Sequence, residues 1–153
     1  MDRPRILDAP SWVQSVRTSS REFIASHGLS RRIIAVGGDF TADPLPADAD
    51  VVIMASNLPQ YSREIVQHVV RKAWLALEPG GEMHLIGEML NAQRTGPEDP
   101  ALWGLAEAVY GSTGIAHSVT ECIGYLERAG FTDVAAHDFI PGVLVRVTGA
   151  KPR

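Results

Sequence analysis

Apolar and polar positions along this chain follow two rhythms. Short β-branched runs at 33–36, 51–54 and 83–86 are nearly all apolar, as expected of strands buried on both faces. Between them, apolar residues recur every three or four positions, the period of an amphipathic helix. The alternation predicts an α/β fold: an open, mostly parallel sheet flanked by helices.

In chain order, Arg5-Ile6-Leu7-Asp8 is a short first strand stopped by Pro10. Ser11 is an N-cap for a helix over 12–27, which Gly28 ends. The 33–36 strand leads into Gly37-Gly38-Asp39-Phe40, and 41–50 reads as a loop before the 51–54 strand. From Ser62, the positions Ile65, Val66, Val69, Val70, Ala73, Trp74 and Leu77 predict a helix, ended by Pro79-Gly80-Gly81. The 83–86 strand runs on towards Glu88 and Leu90, and a helix rich in alanine and leucine follows over 101–110. Ser118-Val119-Thr120-Glu121 has the spacing of a capping box and opens a helix that runs to Ala129 before Gly130. The segments 134–140 and 143–147, joined across Pro141-Gly142, form a terminal antiparallel hairpin.

Composition narrows the classes. A chain of 153 residues fits one domain with a single core, residues 1–153. With 14 Lys+Arg against 18 Asp+Glu, the net charge of −4 argues against nucleic acid and anionic membranes as partners. One cysteine, Cys122, excludes an intrachain disulfide framework and suits a reducing compartment. Asp2, Arg3, Arg5 and Asp8 interrupt any signal-peptide pattern and no apolar run is long enough to span a membrane, so a cytoplasmic protein is the expectation.

Candidate chemistry concentrates where strands end, because open parallel sheets bind ligands beyond their carboxyl ends. Asp8 and Asp39 stand there as acceptors for ribose hydroxyls or an adenine amino group, or else as loop and turn caps. Glu88 emerges from an apolar strand, where a carboxyl tends to have a raised pKa and acts as a base, or serves as a structural acceptor. None of the five histidines has the i, i+4 spacing of a helical metal site, and no metal is expected. His27 and His68 read as solvated or structural, whereas His117 lies in a loop from which it could reach a pocket. Cys122, within an amphipathic helix, reads as a packed thiol.

The order of motifs resembles the S-adenosylmethionine-dependent small-molecule O-methyltransferases of natural-product and phenolic metabolism, of the caffeate, hydroxyneurosporene and anthracycline type. The resemblance rests on Leu7-Asp8-Ala9-Pro10, Gly28-Leu29-Ser30-Arg31-Arg32-Ile33, Gly37-Gly38-Asp39-Phe40 and Asp43-Pro44-Leu45-Pro46. It continues through Asp50-Val51-Val52, Leu75-Ala76-Leu77-Glu78-Pro79-Gly80-Gly81, Glu88 and Leu126-Glu127-Arg128-Ala129-Gly130-Phe131. It implies that Asp8 binds the cofactor ribose, that Asp39 contacts the adenine, and that Phe40 lines the adenine slot. The family's N-terminal dimerisation domain, its glycine-rich cofactor loop and the central first strand that precedes this loop have no counterpart here. The implied fold is therefore an incomplete Rossmann-like methyltransferase sheet, a shortened domain that leaves two strands lacking a neighbour.

The implied catalytic machinery is altered. Where the family carries Leu-His-Asp-Trp, this chain reads Leu58-Pro59-Gln60-Tyr61, so proline replaces the general base. The family's Gly-x-Glu-Arg-Thr reads Gly114-Ile115-Ala116-His117-Ser118, and of the supporting acids only the one matched by Glu88 remains. A general base commonly contributes ~10²–10⁴-fold, so ordinary methyl transfer is expected to be impaired and S-adenosylmethionine binding weak or lost. The first functional expectation is a repurposed enzyme that carries a natural-product intermediate through a cyclisation, rearrangement or hydroxylation. Its catalytic candidates are Glu88, His117 and Tyr61, with Trp103 and Tyr110 in the substrate pocket. The alternatives are a non-catalytic partner that pairs with a complete methyltransferase or with its own copy, and the C-terminal part of a longer active enzyme.

Overall fold

The computed structural model describes residues 11–153, with side chains in the first helix from residue 18 onward. The chain divides into two compact units, Met1–Asp43 and Pro44–Arg153. The predicted strand at 5–8, with Asp8, lies outside the described residues.

In the first unit, α1 (Ser11–Ser26) occupies the predicted helix. Gly28 stops it in the left-handed region at φ 68°, donating to Ala25 O, while Leu29 N reaches back to Ile24 O. The 33–36 run, predicted as a buried strand, is not one. It joins no β ladder among the described residues, Ile34 and Val36 are exposed, and the Arg21 guanidinium donates to Ala35 O at 3.2 Å. A β-branched run favours extended backbone, but only a neighbouring strand makes it a sheet member.

The second unit carries a four-stranded sheet of β1 (Ala49–Ala55), β2 (Leu77–Gly87), β3 (Thr132–Ile140) and β4 (Leu144–Ala150), in the order β1-β2-β4-β3. β1 and β2 are parallel, and the other two pairings are antiparallel, so the described sheet is mixed. β2 starts earlier than expected. Pro79-Gly80-Gly81, read as a break, lies inside it as a bulge, since Ala49 pairs with Leu77 and Val51 already with Glu82. Gly80, at φ 87°, supplies the left-handed turn, and Lys151 O and Gly81 O accept from Gly80 N and Lys151 N.

α2 (Arg63–Ala76) and α4 (Val119–Ala129) pack against each other, and their apolar positions supply much of the core. Val66, Val70, Met83, Leu85, Leu126 and Val147 are fully buried; each side chain of this kind contributes about 1.5–3 kcal/mol. Ser62 caps α2, and the predicted capping box of Ser118 and Glu121 closes both ways on α4. Lys151 Nζ caps the other end of α2 by donating to Trp74 O and Leu77 O, at 2.8 and 2.7 Å. α3 (Glu98–Val109) begins a turn earlier than expected, because Pro100 falls in the first turn, where a missing N–H costs nothing.

β1 forms one edge of the described sheet, with Val51 and Ile53 48% and 59% exposed. An apolar run suited to an interior strand thus has one side without a strand neighbour among the described residues. No helix of the described residues is long and apolar enough to cross a membrane.

Candidate functional site

Three segments meet beyond the carboxyl ends of β1 and β2. Ser56 N donates to Ile86 O as β1 ends, and the chain turns through a short 3₁₀ helix, Leu58–Gln60, with Leu58 fully buried. β2 continues through Glu88 to Leu90, which bridges to Ser118 through the pairs Leu90 N to His117 O and Val119 N to Leu90 O. α3 lies over the 58–60 turn, with its Gly104 pressed so close to Ala116 that a Cβ there would meet Ala116 N at 2.5 Å.

His117 does not reach a pocket: it is 1% exposed, packed beneath this turn. Its Nε2 lies 3.0 Å from Tyr61 O and its Nδ1 2.9 Å from the Tyr125 hydroxyl. A carbonyl can only accept, so Nε2 carries the proton and Nδ1 accepts from the phenol of Tyr125. Both ring nitrogens are engaged in the neutral state, and burial lowers the pKa despite the favourable bond to Tyr61. The geometry suits holding a loop in place more than moving a proton. On the same loop, Gly114 leaves no room for a side chain, because a methyl group would run into the Pro59 carbonyl.

Glu121 ties the surrounding loops together. It accepts from Ser118 N, from Arg63 Nε at 2.7 Å, and from Arg94 Nη1 at 2.7 Å. Arg94 also donates to Ala116 O, which anchors the loop between β2 and α3. Although burial opposes it, the Ser118 N–H and the Arg63 guanidinium hold the Glu121 carboxyl down to about 2.

Glu88 is half-buried at the end of β2, and burial pushes its pKa up. Asp99 adds in the same direction by like charge, while the polar edge of the nearby Trp103 side chain works the other way by favouring the charged form. Asp99 and Trp103 are four residues apart on one face of α3, and with Leu102 and Ala106 they line an open cavity of about 300 Å³. A second cavity of about 290 Å³ continues along Leu102, Ala106, Val109 and Tyr110. The site thus offers an acid of raised pKa, an indole and an apolar trough.

The sequence-derived candidates fall into separate groups. Glu88 and Trp103 come together, with Tyr110 exposed at the far end of the same helix. His117 and Tyr61 also come together, but through the Tyr61 carbonyl. Asp39 and Phe40 lie in the first unit. There Asp39 Oδ1 accepts from Thr41 N and Thr41 Oγ1 at 2.9 and 2.6 Å, and Asp39 N donates to Asp43 Oδ2. The carboxylate thus caps its own turn. Asp99, Arg94 and Tyr125 were missed. Asp99 precedes the predicted start of the helix at 101, so its i, i+4 spacing to Trp103 becomes meaningful only because α3 begins at Glu98. Cys122 is a packed thiol, fully buried, with its pKa raised to about 12 by burial.

Comparison with known proteins assigns the family. Residues 5–132 match the O-methyltransferase domain. The tetracenomycin polyketide synthesis 8-O-methyl transferase of Streptomyces glaucescens is 29% identical over 133 residues, covering 87% of this chain and 39% of that protein. The 3-hydroxy-5-methyl-1-naphthoate 3-O-methyltransferase of Streptomyces sahachiroi is 33% identical over 132 residues, covering 85% and 38%. Among solved structures, the S-adenosylmethionine-dependent methyltransferase SibL in its apo form superposes with a TM-score of 0.76 at 31% identity, covering 89% of this chain and 40% of that one. PigF with SAH gives a TM-score of 0.79 at 27% identity, covering 88% and 40%. The chain thus spans about two fifths of the length of the relatives it matches. Motif order, the matched span and the superposed fold agree: this chain belongs to the O-methyltransferase domain family.

Proposed function

We propose that this chain binds a hydroxylated aromatic natural-product intermediate along α3 and acts on it in a non-methylating step, a cyclisation or rearrangement. The observation that carries the reading is the environment of Glu88, half-buried and raised in pKa, with Asp99 and Trp103 of the α3 cavity close to it. In the protonation sequence, the Glu88 carboxylate takes a proton from an acidic hydroxyl or carbon acid and returns it at another atom. No bond to the protein and no external oxidant are needed, and the substrate is isomerised. Trp103 orients the carboxylate, and Tyr110 and Leu102 hold the ring system.

Two features argue against ordinary methyl transfer. The turn matched to the family's general base carries Pro59, and that turn is fixed from below by His117 on Tyr61 O and by the close approach of Gly114. Asp39, matched to the adenine contact, is engaged by Thr41. Weak or absent S-adenosylmethionine affinity and a cytoplasmic location belong to the same reading.

The test combines thermal-shift titration with hydroxylated naphthoates and a labelled-methyl transfer assay on the same compounds. Ligand stabilisation that disappears in Trp103→Ala and Glu88→Gln, without labelled product, is expected. Multiple-turnover methylation, micromolar cofactor affinity by calorimetry, or the absence of any ligand response overturns the proposal.

A further inference from the structure

His117 joins two pieces of chain that both support α3. Its own loop touches that helix where Ala116 backs onto Gly104, and the 58–60 turn lies beneath the same helix. Loop and turn meet twice: Gly114 lies against the Pro59 carbonyl, and the His117 ring bonds to Tyr61 O at 3.0 Å. From the other side, the hydroxyl of Tyr125 on α4 reaches the ring at 2.9 Å.

Only the neutral ring satisfies both neighbours. A second proton turns Nδ1 from acceptor to donor, so the Tyr125 hydroxyl must turn its own hydrogen away and accept instead. Tyr125 is buried, and among the described residues its hydroxyl has no other hydrogen-bond partner to take that hydrogen. The added charge is poorly placed as well. The carbonyls of Tyr61 and Leu58 favour it, as does Glu121 on α4, but the Glu121 carboxylate is taken up by Arg63, Arg94 and Ser118 N. Arg63 on α2 repels it, and burial opposes it most of all. Among the described residues, no carboxylate pairs with the ring.

We propose that His117 is a proton-operated latch: neutral, it clamps the 58–61 turn to the 114–118 loop, and protonated it lets the turn swing away, admits water to the ring and loosens α3. The turn yields rather than the loop. The loop is pinned by Leu90 N to His117 O, by Val119 N to Leu90 O and by Arg94 to Ala116 O, whereas the bonds Gln60 N to Asn57 O and Tyr61 N to Leu58 O run within the turn itself. Gln60 is exposed and Pro59 and Tyr61 are half-buried, so little core is disturbed when they move. For the ligand trough, which rests on the function proposed above, acid thus removes the floor under α3.

Hydrogen-exchange mass spectrometry of the protein without ligand tests the latch, so its failure and that of the proposed function are distinguishable. One proton taken up at the ordinary histidine value of 6.5 in the open form raises the opening constant about tenfold between pH 7.5 and pH 5.5. After correction for intrinsic exchange rates, protection over 58–61 and α3 is expected to fall by about that factor while protection over β2 holds. His117→Gln offers an N–H to Tyr61 O and an oxygen to the Tyr125 hydroxyl but does not titrate, so it should keep its protection at both pH values. His68→Gln, on the exposed side of α2, should respond as wild type does. Nuclear magnetic resonance of the wild-type imidazole is the second measurement: His117 should still be mostly neutral at pH 6.5, where an ordinary histidine is half charged. No loss of protection in wild type, a loss that includes β2, an equal loss in His117→Gln, or a half-charged His117 at pH 6.5 overturns the proposal.

Discussion

Replacing Glu121 by glutamine separates charge from shape at the point where three loops are tied. The amide keeps an oxygen to accept from Ser118 N, so the capping box retains its geometry, but both arginine pairs lose their counter-charge. A carboxyl moved from 4.5 to about 2 corresponds to at most about 3 kcal/mol. The partners Arg63 and Arg94 are 48% and 41% exposed, so solvent screening lowers the expected loss at neutral pH to about 2 kcal/mol. The sign follows from the depressed pKa. The contribution is complete above pH 4.5, where the unfolded carboxyl is also ionised, and it is lost as pH falls from there towards 2. Urea unfolding of wild type and Glu121→Gln, repeated from pH 7 down to pH 3, should show the stability gap shrinking by about half or more. Other carboxyls titrate alike in both proteins and cancel in the difference. A gap that stays constant over this range, or is already absent at neutral pH, would refute the account of Glu121 as the electrostatic tie.

Two further outcomes follow from the packing beneath the 58–61 turn. His117→Phe removes the hydrogen bonds to the Tyr61 carbonyl and the Tyr125 hydroxyl and should cost about 2–4 kcal/mol in urea unfolding. Because burial depresses the His117 pKa, its share of stability is present above the ordinary histidine value of 6.5 and declines as pH falls below it. A variant that retains the wild-type pH profile between 7 and 5 would contradict this. Gly114→Ala forces its methyl group onto the Pro59 carbonyl and should destabilise by about 1–3 kcal/mol, read as a lowered thermal midpoint; an unchanged midpoint would show that the turn yields freely.

Local signals were legible wherever the physics was local. The apolar spacing from Ile65 to Leu77 gave α2, and the Ser118 to Glu121 capping box gave the start of α4, because caps and periodicity act within a few residues. The hairpin across Pro141-Gly142 was legible for the same reason. The 33–36 run misled, since its β-branched residues fit a strand without supplying a neighbour. Pro79-Gly80-Gly81 misled in the opposite sense, because the carbonyl of Lys151, about 70 positions further on, holds those glycines in a bulge. At the site, Glu88 and Trp103 were visible as separate candidates, but their proximity and the nearby Asp99 were not.

The sequence by itself determined the family, through motifs whose order and spacing persist across most of the chain. Tertiary structure alone decided what its residues are free to do. His117 became a buried, neutral support because Tyr125 and Tyr61 reach it from distant elements, and Glu121 became strongly acidic because Ser118 of its own cap and Arg63 from α2 converge on it. Protonation state and exposure depend on what surrounds a side chain in three dimensions, where the dielectric and the available hydrogen-bond partners are set. The exposed stripe on α3 belongs to the same class: helical spacing announces an apolar face, and only the folded chain shows that the face is left uncovered.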